Sequence, residues 1–176
     1  ALNDVGLPED AICGVEGREA VHQLLDCDES IDLVIPRGSA ELVRSIQSSS
    51  RIPVMGHADG ICHLYIDQEA DPAMATRVAI DGKCDYPAAC NATESLLVHE
   101  AFLPHLRSLG DALIDAGVEL RADERAAQHL SISKSVGPDD GACEYGDLIL
   151  SIRVVDSIDE AIARIHEHGS GHTEAI

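Results

Sequence analysis

The sequence predicts an α/β fold built on a mainly parallel sheet. Three observations carry that prediction. Short apolar runs of strand length alternate with stretches of helical periodicity. Capping residues stand where those helical stretches begin and end. Hydrophobic residues make up 45% of the 176 positions, enough for a packed core, while aromatic residues make up 2% and Trp is absent, so that core must be aliphatic and rich in alanine. Strands are expected over Ala11–Val15, Ile31–Ile35, Ile61–Ile66, Ser95–His99, Val118–Arg121 and Leu148–Val155. Helices are expected over Glu19–Leu25, Ala40–Ser48, Pro72–Lys83, Ala101–Ala116 and Ser157–His168. Asp71 followed by Pro72 reads as an N-cap and a first-turn proline, and Gly117 after Ala116 as the end of a helix. Ser131–Gly146, rich in Gly, Ser and Asp, reads as a loop and is the segment expected to move most.

Charge bounds the function. Thirty-two acids face 12 bases, a net charge of −20, and only two of the bases are lysines. Such a surface repels nucleic-acid phosphates and anionic lipid. No apolar run approaches the length of a membrane span. The first residues, Ala-Leu-Asn-Asp, carry neither a Met nor the features of a secretory signal. The chain therefore reads as a segment of a longer protein, and its six widely spaced cysteines as reduced cytoplasmic thiols. The imbalance of sign also fits a protein from a high-salt cytoplasm.

Two motifs point to chemistry. Cys90 lies in Tyr86-Pro87-Ala88-Ala89-Cys90-Asn91-Ala92, between a turn-forming Tyr-Pro pair and small residues, so substrate can reach its sulfur. That suits a covalent nucleophile, which needs a lowered thiol pKa or a nearby donor to work at neutral pH. The bland alternative is a buried structural thiol, which is the expected state of Cys62 in its apolar strand. The second motif is Ile31–Ile35 running into Pro-Arg-Gly-Ser and a helix. Arg37, Gly38 and Ser39 there can present backbone N–H groups and positive charge to an anion, although most such starts are plain caps. Glu144 follows a glycine-rich stretch and by itself reads as a solvated acid. Metal arrangements among His57, Cys62, His63, Cys84 and Cys90, or among His166, His168 and His172, match no established zinc spacing, and Gly169 and Gly171 should stop the helix that would align His168 with His172.

Taken together, four stretches resemble the gamma-glutamyl phosphate reductases and, equally, the reductase half of bifunctional pyrroline-5-carboxylate synthase. They are Ile31–Ser39 (IDLVIPRGS), Ile52–His63 (IPVMGHADGICH), Asp85–Glu94 (DYPAACNATE) and Val155–Ile176. Arg164 stands where the family usually has His, on a predicted helix where little effect is expected, and residues 131–142 match poorly. The resemblance implies an aldehyde-dehydrogenase-like fold in three layers. It assigns residues 1–56 to the C-terminal part of an NADP-binding domain and 57–176 to the catalytic domain. It implies Cys90 as the nucleophile, Arg37, Gly38 and Ser39 at the cofactor pyrophosphate, Glu144 at the nicotinamide ribose, and Asn91 and His172 near substrate, with no metal. Val54 falls where hydrolytic aldehyde dehydrogenases carry a water-activating glutamate, as suits a reductase.

The implied reaction is NADPH-dependent reduction of L-glutamyl 5-phosphate to glutamate 5-semialdehyde through a Cys90 thioester, in proline biosynthesis. The implied partners are that small substrate and a second copy of the chain, with no nucleic acid and no membrane. Two other readings remain open: a non-catalytic scaffold or filament subunit of the same fold, and a Cys/His metal-binding module.

Overall fold

The computed structural model describes residues 3–56, 59–137 and 139–176, with only the backbone described for Asn3, Glu9 and Ala40. The chain divides into two compact units, residues 1–58 and 59–176.

The first unit carries helices α1 (Arg18–Leu25) and α2 (Ala40–Ser49). Its interior is small: Val43, Ile46 and Ile52 are buried, and no residue of α1 is. Ser39 caps α2 by accepting the Leu42 N–H at 3.3 Å. The strands expected at 11–15 and 31–35 are not formed. Glu9–Ala11 is a 3-10 turn. Residues 31–35 contribute one parallel bridge, Val34 to Val54, through Val34 N–H to Pro53 (2.9 Å) and Met55 N–H to Val34 (2.8 Å). A strand needs neighbours on which to place its N–H and C=O groups, and these runs have at most one short one among the described residues.

The second unit is a six-stranded, all-parallel sheet in the order β4-β3-β5-β2-β1-β6. Its strands are β1 (Cys62–Ile66), β2 (Thr93–His99), β3 (Glu119–Ala122), β4 (Lys134–Ser135), β5 (Ile149–Val155) and β6 (Glu174–Ala175). Helices α3 (Pro72–Cys84) and α4 (Leu103–Asp115) cover one face, where Leu64, Leu96, Ile152, Leu106 and Leu109 form the main core. A short helix, α5 (Glu124–Ala127), follows β3. Helix α6 (Ile158–His168) covers the other face over Tyr65, Leu97 and Val155. Central strands such as β2 are therefore buried on both sides.

The local signals in this unit hold. Asp71 accepts the Met74 N–H at 2.7 Å and Pro72 opens α3. At the end of α4 the Val118 N–H reaches Leu113 and the Gly117 N–H reaches Ile114, a Schellman closure with Gly117 at φ +88°. Helix α6 stops at His168, so His168 and His172 share no helical face.

Among its described residues, the segment expected as a loop, 131–146, is not wholly irregular. It contributes β4 and a 3-10 turn at Asp140–Ala142. Asp140 there is buried and accepts from Arg121 (2.7 Å), the Tyr145 hydroxyl (2.7 Å) and the Gly137 N–H (2.5 Å). Burial alone would push its carboxyl up, but these donors outweigh it and hold it below the usual range. Both lysines are paired with carboxylates, Lys83 with Glu94 and Lys134 with Glu119. No helix among the described residues is long and apolar enough to cross a membrane.

Candidate active site

In a parallel sheet every strand enters from the same edge. Four adjacent strands, β5, β2, β1 and β6, are entered by the segments that carry Glu144, Cys90, Gly60 and His172. The candidate site forms along that entering edge. This departs from the common rule that places ligands at the carboxyl ends of the strands.

Cys90 sits on two successive tight turns. The Ala89 N–H bonds to Tyr86 at 3.0 Å, with Pro87 in the second position that proline favours. The Ala92 N–H bonds to Ala89 at 2.9 Å, which puts Cys90 and Asn91 at the tip of the second turn, both exposed.

The turn is backed by Gly60. A side-chain carbon added to Gly60 would lie 2.8 Å from the Cys90 Cα and closer still to its carbonyl oxygen. Only glycine permits that approach. The Gly60 N–H donates to the Glu144 carboxylate at 2.9 Å. Glu144 is therefore engaged at the Cys90 turn instead of standing alone in solvent.

The four thiols of this unit differ in a way that selects one. Cys62 is buried in β1, its thiol pushed up to about 11, chiefly by burial and opposed by the Thr173 backbone N–H. Burial likewise raises the thiols of Cys84 and Cys143. Cys90 is the exposed thiol of the unit.

Cys62 instead supports its neighbour, since its Sγ–H points to the Cys90 carbonyl oxygen at 3.3 Å. On its other side, its Sγ lies 4.0 Å from His172 Nδ1. Two residues of the last segment hold His172 there. Ser170 Oγ accepts the Ile61 N–H at 3.0 Å, and Glu174 accepts both the His63 N–H (2.8 Å) and its ring Nδ1 (3.0 Å). The segments that carry Cys90, Glu144 and His172 are thus linked through Gly60 and Cys62, and Asn91 follows Cys90 in the same turn.

Arg37, Gly38 and Ser39 stand at the N-terminus of α2 in the other unit, where the Ser39 hydroxyl is occupied as the helix cap and Gly38 is at φ +154°. Among the described residues no group of three or more His, Cys, Asp or Glu side chains is placed to hold a metal, and His57 lies outside the described residues.

Sequence reasoning missed Gly60, Lys83 and Glu94. Glu94 lies just before the expected strand Ser95–His99 and Lys83 ends the expected helix Pro72–Lys83, so nothing in the sequence marked either as a buried position.

The chain is 54% identical over 168 residues to gamma-glutamyl phosphate reductase of Parasynechococcus marenigrum, a match covering 95% of this chain and 38% of that one. It is 50% identical over 176 residues to the enzyme of the same name from Cyanothece sp., covering 99% and 40%. The crystal structure of gamma-glutamyl phosphate reductase from Thermotoga maritima superposes with a TM-score of 0.89 at 34% identity, over 99% of this chain and 43% of that one. The chain is a homologue of the gamma-glutamyl phosphate reductases. It spans about two fifths of the length of the curated relatives it matches. No family model matches the chain.

Lactaldehyde dehydrogenase of Escherichia coli (TM-score 0.69, 16% identity, 97% of this chain and 45% of that one) shares the fold of this chain. So does an acetylating aldehyde dehydrogenase of Geobacillus thermoglucosidasius (0.66, 21%, 98% and 47%). The fold is aldehyde-dehydrogenase-like, as the resemblance implied.

Proposed function

We propose that this chain is the catalytic segment, with the adjoining part of the cofactor domain, of an NADPH-dependent reductase that converts L-glutamyl 5-phosphate to glutamate 5-semialdehyde in proline biosynthesis. The observation that carries the reading is Cys90, an exposed thiol on a turn locked against Gly60 beside Glu144, in a chain homologous to reductases of that name. On this reading residues 1–56 belong to the cofactor domain and 57–176 to the catalytic domain. The working protein is a cytoplasmic homo-oligomer.

The Cys90 thiolate attacks the acyl carbon, the carbon–oxygen bond to phosphate breaks, and phosphate leaves. A thioester remains. Hydride adds to its carbonyl carbon, and the tetrahedral adduct collapses to the aldehyde and frees the thiolate. Each tetrahedral stage needs hydrogen-bond donors for its oxyanion, and the Cys90 backbone N–H is one candidate. Asn91 and His172 flank the nucleophile loop as substrate-binding groups. Val54 falls where hydrolytic aldehyde dehydrogenases carry a water-activating acid, as suits a reductase.

The chemistry of the cofactor groups fits. N–H groups at the start of α2 and the charge of Arg37 suit a pyrophosphate, with Gly38 and Ser39 at the same turn. Glu144 suits a ribose hydroxyl. NADPH, when bound by these residues, supplies the hydride.

The test is substitution in the complete reductase that carries this segment. Cys90→Ala should abolish nearly all NADPH oxidation with glutamyl phosphate, and Cys84→Ala should keep most of it. Equal activities would sink the assignment. The isolated 176-residue chain should be inactive, because it supplies only part of the surface that orients the hydride.

A further inference from the structure

We propose that the buried Lys83–Glu94 pair is a positioning device that sets Cys90 and Glu144 relative to each other. The proposal rests on reading Cys90 as the nucleophile. Lys83 stands near the end of α3 and Glu94 near the start of β2, on either side of the segment that carries Cys90. Their side chains meet at 2.6 Å, and both are essentially inaccessible to solvent, at 0% and 1%. The pair therefore closes the nucleophile loop at its base.

Glu94 does more than close the loop. Its second oxygen accepts the Gly146 N–H at 3.2 Å, and the Tyr145 N–H donates to the same carboxylate. Its backbone carbonyl accepts from Ser151 Oγ at 3.2 Å on β5. The residue next to Tyr145 is Glu144, whose carboxylate reaches back to Gly60 under the Cys90 turn. A closed circuit results, from Lys83 to Glu94, through Tyr145 and Gly146 to Glu144, then Gly60, Cys90 and the Cys62 thiol below it. The Tyr145 hydroxyl is fixed in turn by Asp140, and its ring lies 5.0 Å from the Arg121 guanidinium.

Stability alone does not explain the pair. Two apolar side chains of similar volume often serve a core as well as a buried ion pair, or better. They could close the loop, but they could not accept the Tyr145 and Gly146 N–H groups. The geometry assigns Glu94 that task, with Lys83 as the counter-charge that permits a buried carboxylate.

Two double variants of the complete reductase separate acceptor from charge. Both remove the ion pair. Lys83→Met with Glu94→Gln keeps an acceptor oxygen, whereas Lys83→Met with Glu94→Leu removes it. The readouts are kcat, hydrogen exchange at Tyr145 and Gly146, and the rate at which iodoacetamide alkylates each cysteine, resolved by peptide mass spectrometry.

The leucine variant should lose kcat by about tenfold or more, the scale expected of a sub-ångström misplacement. It should also lose exchange protection at both amides and shift Cys90 alkylation by at least about threefold, with the alkylation of Cys13 and Cys27 unchanged. The glutamine variant should stay within about threefold of the parent on every readout. Lys83→Met with Glu94→Met replaces the leucine variant if that one does not fold. Equal behaviour of the acceptor-keeping and acceptor-lacking variants, whether both like the parent or both impaired, overturns the proposal. Alkylation and exchange decide the point even where the parent shows no reductase activity, so failure of the positioning claim is distinct from failure of the reductase reading.

Discussion

The two units contain apolar runs of the same kind, and only one unit turns them into a sheet. Ile12 and Ile35 in the first unit are 75% and 56% exposed, whereas Leu64 and Ile152 in the second are 4% and 0%. Composition alone does not separate Ile31–Ile35 from Ile61–Ile66. Context does. The second run enters a sheet with a parallel neighbour on each side and helices on both faces, while the first finds one bridge partner. Strand propensity thus measures how well a side chain suits a half-buried pleat, and it acts only where neighbours supply one.

The comparison can be broken most forcefully by core truncation. Ile152→Ala in the second unit should cost about 2–5 kcal/mol of unfolding free energy. Ile12→Ala should stay within about 0.5 kcal/mol. Urea denaturation of the purified chain measures both, and similar losses would mean that the first unit is packed as tightly as the second.

Glycines give a sharper contrast. Gly60→Ala forces a carbon into the Cys90 backbone, and overpacking of that sort costs about 1–3 kcal/mol. Gly14→Ala meets nothing within 4 Å and should again fall within about 0.5 kcal/mol. A tolerated Gly60→Ala would mean that the Cys90 turn is not held as described.

What the sequence disclosed follows the same division between local and distant causes. The helices were legible because their signals are neighbours in the chain, such as Asp71 with Pro72 and Gly117 after α4. The Cys90 turn was legible through Tyr86-Pro87. Gly60 was not, because its reason is Glu144, 84 positions away, and a turn that arrives from another loop. The bond from Arg121 to Asp140 was not legible either, because Arg121 lies outside the Gly-, Ser- and Asp-rich segment that carries Asp140. Residues 31–35 misled in the opposite direction, having the composition of a strand without its neighbours.

Smaller effects concern charge. Burial lowers the His63 imidazole below its ordinary 6.5, aided by the charge of His168 and opposed by the Glu174 carboxylate. The folded chain therefore binds fewer protons there than the unfolded chain just below pH 6.5. Stability from this site is complete above that pH and lost as pH falls below it. Melting temperature should decline from pH 7 towards 5, and His63→Gln should flatten that decline. An unchanged slope would remove His63 as its source.

Acids outnumber bases in both units, so the repulsion is not confined to one. Raising KCl from about 0.1 M to 1 M shortens the screening length from about 10 Å to about 3 Å. Melting temperature should rise across that range if the chain is adapted to high salt. A flat or falling value would remove that idea and leave the site untouched.

The central claim concerns one sulfur atom, and acyl trapping tests it most directly. The complete reductase is mixed with glutamyl phosphate in the absence of NADPH, quenched in acid and mapped by peptide mass spectrometry. The glutamyl mass should appear on the peptide containing Cys90, disappear on treatment with hydroxylamine, and be missing in the Cys90→Ala variant. A glutamyl adduct on Cys62, Cys84 or Cys143, or an active enzyme that never acylates Cys90, would contradict it.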